Sequence, residues 1–392
     1  MSRERPDVVL IGIGGYGQSY VQWMEQYHGV TKGEICGVVD PVARKSPQWQ
    51  GLHDAGVPIF DTLEEYLNQG GMADLAVVAS PIAFHADQTC GALDAGMNVL
   101  CEKPIAATVQ DVRRMISARD RAGRFLEVGY QWSFTDAIQS LKADILAGRL
   151  GRPKRFAALV LWPRTSSYYQ RNSWAARKTD SAGRWVLDSP VSNATAHYLH
   201  NMLFLSGPAQ NRSVTPVAIT AECFRGNDIE NFDTACCRVE TAEGAEILFY
   251  TSHCVEHRGD PGFRFEFENA IIDYSGVGTI TARFSDGRTK EYGDPGVEQG
   301  KKLRVSLERI AADEPRPDIC GPEAAMAHTL CVNGMQENPV GTLPADQLVT
   351  IERMPGDTLR YLPGLGDLMT RAYNEGSPGK RRVVSQVHSH RR

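Results

Sequence analysis

The first third of the chain alternates short apolar runs with segments of helical spacing. The apolar runs occur at 7–11, 35–39, 59–60, 74–79, 98–101 and 125–130. Most have the length and β-branched content of buried parallel strands, and helix-compatible stretches such as 84–95 and 109–122 lie between them. Strands that alternate with helices in this way predict a doubly wound parallel sheet that ends near residue 130.

The hydrophobic pattern changes after residue 130 to strands in series. Strand-like runs occur at 155–161, 218–223, 233–240, 246–252, 263–268, 270–274, 279–284 and 288–292. Helical spacing occurs at 135–147, 322–336 and 366–374. We therefore predict an α/β protein with a doubly wound domain at 1–130 and an α+β domain at 131–375 that carries a large, mostly antiparallel sheet. A basic tail follows at 376–392.

A glycine-rich turn follows the first predicted strand. Residues 12–17 read Gly-Ile-Gly-Gly-Tyr-Gly, a G-x-G-x-x-G, and the next strand ends on Asp40. Gly12 permits a tight turn, Gly14 lets the backbone approach a pyrophosphate, and Gly17 lets the following helix pack closely on the strand. The helix N-terminus would bind the diphosphate, and Asp40 would accept hydrogen bonds from the adenosine ribose. This context predicts a dinucleotide site.

The carboxylate of Asp40 also predicts which dinucleotide binds. It would repel a 2′-phosphate and therefore favours NAD. Arg44 and Lys45 follow closely and would soften that preference, so NADP is the alternative.

The overall composition argues against several function classes. The 392 residues are 42% hydrophobic and 23% charged with a net charge of −5, which gives no electrostatic reason to expect nucleic acid or an anionic membrane. The apolar runs are too short for a membrane span, and the N-terminus has no apolar segment of a signal peptide. The nine cysteines form no C-x-x-C pair, and no histidines have convincing metal-ligand spacing. We predict a cytoplasmic protein with reduced cysteines and no metal.

Four motifs together resemble one family of oxidoreductases. They are the G-x-G-x-x-G at 12–17, Ser80-Pro81 with His85, Glu102-Lys103-Pro104, and Val128-Gly129-Tyr130-Gln131 followed by the turn at 148–153. With these motifs in order, the chain resembles the Gfo/Idh/MocA oxidoreductases, the glucose–fructose oxidoreductase and inositol dehydrogenase family. The resemblance implies a Rossmann domain, hydride transfer between a nicotinamide and a carbinol carbon of a sugar, polyol or glycoside, and a homodimer or homotetramer.

The resemblance also implies which residues contact the cofactor. They are Gly12, Gly14, Gly15, Tyr16, Gly17, Asp40, Ser80, Pro81, His85, Glu102, Lys103 and Gln131. Lys103 is expected at the carboxyl end of a parallel strand, where the family's lysine hydrogen-bonds the reacting oxygen and its Lys–Pro bond is often cis. Burial near a positively charged nicotinamide should lower the pKa of this lysine, which suits acid–base work.

The family's second catalytic motif is an aspartate four residues before a histidine, at the start of a helix. His197 matches the histidine, whereas the position four before it is Asn193. On one helix these two side chains would share a face one turn apart. Asparagine cannot exchange a proton, so Asn193 would position the substrate while His197 takes the hydroxyl proton. Asp188 would replace the missing acid if the turn at 189–190 folds it inward.

Aromatic residues and arginines crowd the segment 162–185, which in the family lines the substrate cleft. Aromatic faces beside Arg and Asn donors suit polyhydroxylated rings, although a packing or interface patch is the alternative for each residue taken singly. The substrate-binding residues that we predict are Trp132, Trp162, Tyr168, Arg171, Trp174, Asn193 and His197. His253, His257 and Arg258 lie in a predicted loop that would reach the cleft.

Two other functions are alternatives to a dehydrogenase. An NAD-assisted glycosidase, also found in the family, would oxidise one carbon, eliminate the glycosidic bond and regenerate its cofactor. A non-catalytic sugar or nucleotide sensor would bind without turnover, and Asn193 in place of an acid adds weight to it. Intact Lys103 and His197 favour the dehydrogenase.

Overall fold

Strands and helices alternate through the first 135 residues. A computed structural model of the protein describes residues 5–312 and 316–375, so the predicted tail at 376–392 lies outside the described residues. The elements are β1 Asp7–Ile11, α1 Gln18–Thr31, β2 Glu34–Val39, α2 Trp49–Asp54, β3 Ile59–Phe60, α3 Leu63–Asn68, β4 Leu75–Val78, α4 His85–Asp94, β5 Asn98–Cys101, α5 Val109–Ala122 and β6 Leu126–Val128.

These six strands form one parallel sheet in the order β3-β2-β1-β4-β5-β6. Inward-facing residues such as Val8, Leu10 and Val77 are at most 1% exposed, as expected of strands covered on both faces. The chain winds outward from β1 to β3 and then in the other direction from β4 to β6. A ligand crevice is therefore expected beyond the carboxyl ends of β1 and β4. The predicted doubly wound sheet is confirmed.

The middle of the chain is mostly strands. Its elements are α6 Asp136–Leu146, β7 Pro153–Leu161, α7 Ser166–Gln170, α8 Ala196–Leu205, β8 Pro216–Arg225, β9 Thr234–Thr241, β10 Glu246–Ser252, β11 Gly262–Phe267, β12 Ala270–Tyr274, β13 Ile280–Phe284 and β14 Thr289–Gly293. A π-helical turn, Pro190–Ala194, precedes α8. The strands predicted from alternation and turn residues are all present, with small shifts at their ends.

The last described part of the chain adds α9 Lys301–Ala312, α10 Pro322–Gln336, β15 Gly341–Thr342, β16 Val349–Met354, β17 Asp357–Tyr361 and α11 Leu365–Glu375. Nine strands form a second sheet in the order β14-β13-β12-β11-β7-β10-β9-β8-β15. Its pairs are antiparallel except β7 with β10 and β8 with β15. The predicted large, mostly antiparallel sheet is confirmed. The pattern did not predict α9 or the β16–β17 hairpin.

The chain divides into two compact units. The first unit is Met1–Thr135 with Val297–Met326, and the second is Asp136–Gly296 with Ala327–Arg392. The segment 297–326 thus returns to the first unit because Leu303 and Leu307 of α9, both 0% exposed, pack in the core that contains Val8 and Tyr20. The boundary at residue 130 stays a prediction.

The helices and the cysteines of the described residues show two further features. None of their helices is both long and apolar enough to cross a bilayer. Within the same residues no disulfide forms, and seven of the nine cysteines are buried. Buried thiols of this kind act as small apolar side chains in the core.

Candidate functional site

The glycine-rich turn between β1 and α1 has the backbone that a dinucleotide site needs. Gly12 has φ +88°, and a Cβ at this position would lie 2.8 Å from the backbone nitrogen of Ser80. A Cβ on Gly17 would collide with the carbonyl oxygen of Gly12, so both positions require glycine. By contrast, no atom lies within 4 Å of a Cβ built on Gly14 or Gly15. These residues fit a diphosphate that approaches the backbone above Gly14.

Asp40, which directly follows β2, stabilises this turn through two hydrogen bonds. Its Oδ2 accepts a hydrogen bond from the Ile13 N–H at 3.0 Å, and its Oδ1 accepts one from the Val42 N–H at 2.9 Å. The residue is only 7% exposed. A carboxylate has about four lone-pair sites, so these two bonds leave acceptor capacity for a ribose hydroxyl.

His85 links two turns at the carboxyl edge of the parallel sheet. Its Nε2 lies 2.8 Å from the Ser80 carbonyl oxygen, and its Nδ1 lies 2.9 Å from the Pro104 carbonyl oxygen. Carbonyl oxygens only accept, and burial lowers the pKa of this imidazole. A neutral His85 therefore donates to one carbonyl at a time while it holds the Ser80-Pro81 turn beside the Glu102-Lys103-Pro104 turn.

Glu102 is buried in an ion pair with Lys302 of α9. Lys302 is 0% exposed, and its Nζ donates to Glu102 Oε1, which also accepts from the Tyr20 hydroxyl at 2.5 Å. Although burial alone would raise the pKa of Glu102, the Lys302 ammonium and these hydrogen bonds hold that pKa below its ordinary value. No sequence pattern points to Lys302, because lysines of an amphipathic helix usually face solvent and its partner Glu102 lies 200 positions away.

Lys103 and Gln131 lie in the same unit as the glycine-rich turn. Lys103 is half-buried after β5, its backbone N–H donates to Glu102 Oε2 at 3.0 Å, and the Lys103–Pro104 peptide is cis. Gln131 accepts a hydrogen bond from the Tyr16 hydroxyl at 2.7 Å. Trp132, predicted to bind substrate, is 8% exposed in the adjacent turn of this unit. The predicted cofactor-binding residues thus lie near the carboxyl ends of the strands of one sheet.

In the second unit, Asp188 is folded inward and contacts Asn193. Its Oδ1 accepts from Asn193 Nδ2 at 2.9 Å, and its Oδ2 accepts from the Ala176 N–H at 2.6 Å and from Arg171 at 3.3 Å. Asp188 is only 2% exposed. Its carboxylate therefore fixes the orientation of the Asn193 amide.

Asn193 and His197 do not share one continuous helix, which corrects the expectation from their spacing. Asn193 lies in the π-helical turn, and His197 lies on the first turn of α8. The two segments meet at Thr195, whose N–H and hydroxyl both donate to the Pro190 carbonyl at 2.8 Å. Pro190 at the first position and a Ser189–Ser192 capping box start the turn, so local hydrogen bonds override the i, i+4 register.

Aromatic rings and arginines of 162–174 come together in the second unit. The Arg171 guanidinium lies 3.9 Å from the Tyr168 ring centroid and 5.6 Å from that of Trp174. Arg164 lies 4.8 Å from the Tyr168 centroid and 5.7 Å from that of Trp162. The predicted substrate residues of this segment therefore form one group.

The loop after β10 supplies further polar side chains. His253 is 1% exposed, and its ring lies 5.5 Å from the Tyr168 ring. Arg258 lies 5.2 Å from the Trp162 centroid. The His257 side chain, in contrast, is 81% exposed. Across residues 5–312 and 316–375, no group of three or more His, Cys, Asp or Glu side chains is placed to hold a metal ion.

Sequence comparison matches the N-terminal part of the first unit to a known family. Residues 7–130 match the model of the oxidoreductase family with an NAD-binding Rossmann fold. The chain is 27% identical over 176 residues to 1,5-anhydro-D-fructose reductase of Ensifer adhaerens, an overlap of 44% of this chain and 50% of that protein. It is also 27% identical over 192 residues to inositol 2-dehydrogenase 3 of Saccharopolyspora erythraea, which covers 48% and 55%. The chain thus spans about half the length of the curated relatives it matches.

Solved structures resemble the fold over most of the chain. The WlbA dehydrogenase of Bordetella pertussis, in complex with NADH and UDP-GlcNAcA, gives a TM-score of 0.67 at 22% identity, covering 85% of this chain and 96% of that one. A levoglucosan dehydrogenase in complex with NADH and levoglucosan gives 0.66 at 17%, with the same coverage. Residues 7–130 therefore carry the NAD-binding Rossmann domain of the Gfo/Idh/MocA oxidoreductase family.

Proposed function

We propose that the protein is an NAD-dependent dehydrogenase that transfers a hydride between the nicotinamide and a carbinol carbon of a sugar, polyol or glycoside. The proposal rests on two features at the carboxyl edge of one parallel sheet. They are the open glycine turn at 12–17 and the turn Glu102-Lys103-Pro104. The relatives named for 1,5-anhydro-D-fructose reduction and inositol dehydrogenation support the same substrate class.

The cofactor site is formed by the first unit. NAD, when bound, supplies the hydride acceptor. Gly14 and Gly15 would admit the diphosphate, and Asp40 would accept hydrogen bonds from the adenosine ribose while repelling the 2′-phosphate of NADP. Arg44 and Lys45 are exposed beside Asp40, so NADP binds more weakly in this proposal but is not excluded.

Oxidation of an alcohol releases a hydride from carbon and a proton from oxygen. In the proposal, His197 takes the hydroxyl proton and Lys103 donates a hydrogen bond to the reacting oxygen. Asn193 positions the substrate, and Asp188 acts as a positioning residue because it holds the Asn193 amide. The burial of Asp188 and its three hydrogen-bond donors support this assignment.

The direct test is a screen of sugars, polyols and glycosides with NAD⁺ and with NADP⁺, followed by the absorbance of the reduced cofactor. We expect stoichiometric NADH formation with at least one compound and a lower KM for NAD⁺ than for NADP⁺. Release of free sugar without net NADH would instead identify an NAD-assisted glycosidase. NADH binding with no turnover of any compound would overturn the dehydrogenase.

A non-catalytic sensor is the second candidate, and one observation favours it. Asn193 stands where the family motif has an acid, and its amide is already bonded to Asp188. A sensor would bind NAD(H) and a sugar, and its affinities would be unchanged when His197 is replaced by Asn. A dehydrogenase would lose turnover in that variant.

The oligomer and the location stay predictions. The family resemblance implies a homodimer or homotetramer, which light scattering of the purified protein tests. The cytoplasmic location is tested by fractionation of cells that express the full chain.

A further inference from the structure

Five side chains of the second unit form what we name the arginine–aromatic cluster: Trp162, Arg164, Tyr168, His253 and Arg258. The Arg164 guanidinium stands 4.8 Å from the Tyr168 ring, and the Arg258 guanidinium stands 5.2 Å from the Trp162 ring. His253 completes the cluster from the loop after β10, edge-on to Tyr168. The cluster thus places two positively charged guanidinium groups beside the aromatic rings of Trp162 and Tyr168.

Two hydrogen-bond donors in this cluster have no acceptor. Trp162 Nε1 and Arg164 Nε are buried atoms without a hydrogen-bond partner among the described residues. Burying a donor without an acceptor costs about 1–3 kcal/mol, and more for a charged group. Native proteins rarely tolerate several such donors in one place unless a ligand or water satisfies them.

Among residues 5–312 and 316–375, the two cluster arginines also have no counter-ion. Two other arginines of the same segment do have one, since Arg171 pairs with Asp188 at 3.3 Å and Arg184 pairs with Asp180 at 2.6 Å. In the described part of the chain, neither Arg164 nor Arg258 has a carboxylate within ion-pair distance. The cluster therefore carries an excess of positive charge.

His253 adds an acceptor to these donors. Its Nδ1 lies 2.8 Å from the Trp162 carbonyl oxygen and must donate to it, because a carbonyl oxygen only accepts. Burial, together with the charges of Arg164 and Arg171, lowers the pKa of His253 to about 3, so the ring is neutral at pH 7. Its Nε2 then carries a lone pair, and this buried atom has no partner in the described residues. It can accept a hydrogen bond from a hydroxyl group.

We propose that the arginine–aromatic cluster binds an anionic group of an acidic, sugar-like substrate, and that His253 Nε2 accepts a hydrogen bond from a neighbouring substrate hydroxyl. A neutral polyol would satisfy the donors but would leave the charge of the partly buried Arg164 guanidinium uncompensated, with the exposed Arg258 beside it. A carboxylate or a phosphate satisfies both needs, because each is an acceptor-only anion with the geometry of a guanidinium fork. The inference rests on the proposed function, since it names the substrate class of that site.

The test compares three sets of compounds on the full-length protein with NAD⁺: hexuronates, hexose 6-phosphates and the parent neutral hexoses. Initial rates of NADH formation give kcat/KM, and calorimetry in the presence of NADH gives the dissociation constants without turnover. We expect at least one acidic set to exceed its neutral parents by about 100-fold in kcat/KM, the effect of two charge-assisted hydrogen bonds at about tenfold each. The better acidic set distinguishes a carboxylate site from a phosphate site.

Single substitutions test which side chains of the cluster bind the anionic group. Arg164→Gln and Arg258→Gln should each weaken binding of the preferred acid about tenfold or more, and should weaken binding of neutral hexoses less, because only the acid loses a charge-assisted hydrogen bond. Trp162→Phe keeps an aromatic ring but removes Nε1 and one ring of the indole, so we expect a loss of about three- to tenfold. Arg177→Gln is the matched control, because Arg177 is an exposed arginine of the same segment, and it should change nothing.

The outcomes separate this inference from the proposed function. Neutral hexoses oxidised as well as acids, with no effect of Arg164→Gln, would overturn the anion site and leave the dehydrogenase intact. Arginine-dependent binding of an acid without NADH formation would support the anion site and count against the dehydrogenase. Neither binding nor turnover of any compound would overturn both.

Discussion

At the scale of single residues, Glu102 and Lys302 form a buried ion pair in the first unit. The Lys302 ammonium contacts Glu102 and is surrounded by the rings of Tyr16, Tyr20 and Trp23, whose centroids lie 4.8, 5.2 and 5.6 Å away. Burial lowers the pKa of Lys302, whereas the Glu102 carboxylate opposes that shift. The pair therefore holds the turn that carries Lys103 against α9.

Replacement of Lys302 by Met should lower the free energy of unfolding by about 3–5 kcal/mol, because it leaves a buried carboxylate without its partner. Urea unfolding followed by circular dichroism measures the change. Lys45→Met is the control at an exposed lysine of the same unit, with an expected change within about 0.5 kcal/mol. The double variant E102Q/K302M should recover part of the loss, and equal stability of K302M and the wild type would contradict the ion pair's role.

Lys103→Ala should reduce turnover by about 10²–10⁴-fold while NADH still binds, because the side chain hydrogen-bonds the reacting oxygen and is not needed to hold the diphosphate. Rates follow from NADH absorbance, and binding follows from the quenching of tryptophan fluorescence. Lys154→Ala, at an exposed lysine of β7, is the matched control and should retain full activity. An active Lys103→Ala enzyme would remove Lys103 from the chemistry.

His253 gives the protein a component of stability that acid removes. Unfolded histidine titrates near 6.5, whereas burial and the nearby Arg164 and Arg171 lower the folded pKa to about 3. Between these values the unfolded state binds more protons, so stability falls as the pH is lowered through this window, by up to about 5 kcal/mol. Urea unfolding at several pH values should show a steeper acid dependence for wild type than for His253→Gln. Parallel curves would contradict the assignment.

At the scale of elements, the β1–α1 turn distinguishes two kinds of glycine. Gly17→Ala should destabilise the fold by several kcal/mol, because its Cβ would collide with the Gly12 carbonyl oxygen, a backbone atom that cannot rotate away. Gly14→Ala meets no atom within 4 Å, so stability should be unchanged while NADH affinity falls. Thermal unfolding and NADH titration of the two variants check both statements. Unchanged NADH affinity in Gly14→Ala would place the diphosphate elsewhere.

The turn before α8 shows how local hydrogen bonds decide an element that spacing alone predicted wrongly. The i, i+4 spacing of Asn193 and His197 predicts one helix. The side chains of Ser189, Ser192 and Thr195, however, all hydrogen-bond to backbone groups of nearby residues. These bonds compete with helical ones and produce a π-helical turn followed by a break. The Ser and Thr side chains that compete for backbone hydrogen bonds can be read from the sequence. Whether they replace helical hydrogen bonds depends on how the segment packs in the fold.

At the scale of the whole molecule, the first unit is discontinuous in sequence. Leu303 and Leu307 of α9 fill its core, and Arg309 reaches Glu127 of β6 at 3.2 Å. A fragment of residues 1–135 should therefore expose apolar surface and fail to unfold cooperatively, whereas the same fragment joined to 297–326 by a Gly/Ser linker should fold. Calorimetry and NADH binding test the pair. Cooperative unfolding of 1–135 alone would make the returning segment dispensable.

The sequence by itself determined the parallel sheet, the antiparallel strand series and the glycine turn, because strand length, alternation and turn residues are properties of neighbouring positions. Its resemblance to a family also singled out Lys103 and His197 as candidate catalytic residues, because the motifs that contain them are contiguous in the chain. Only the tertiary structure decided that Lys302 pairs with Glu102 and that Trp162, Arg164 and His253 bring unpartnered polar atoms together. Such partners are far apart along the chain, and the packing of separate elements, not any local pattern, brings them into contact.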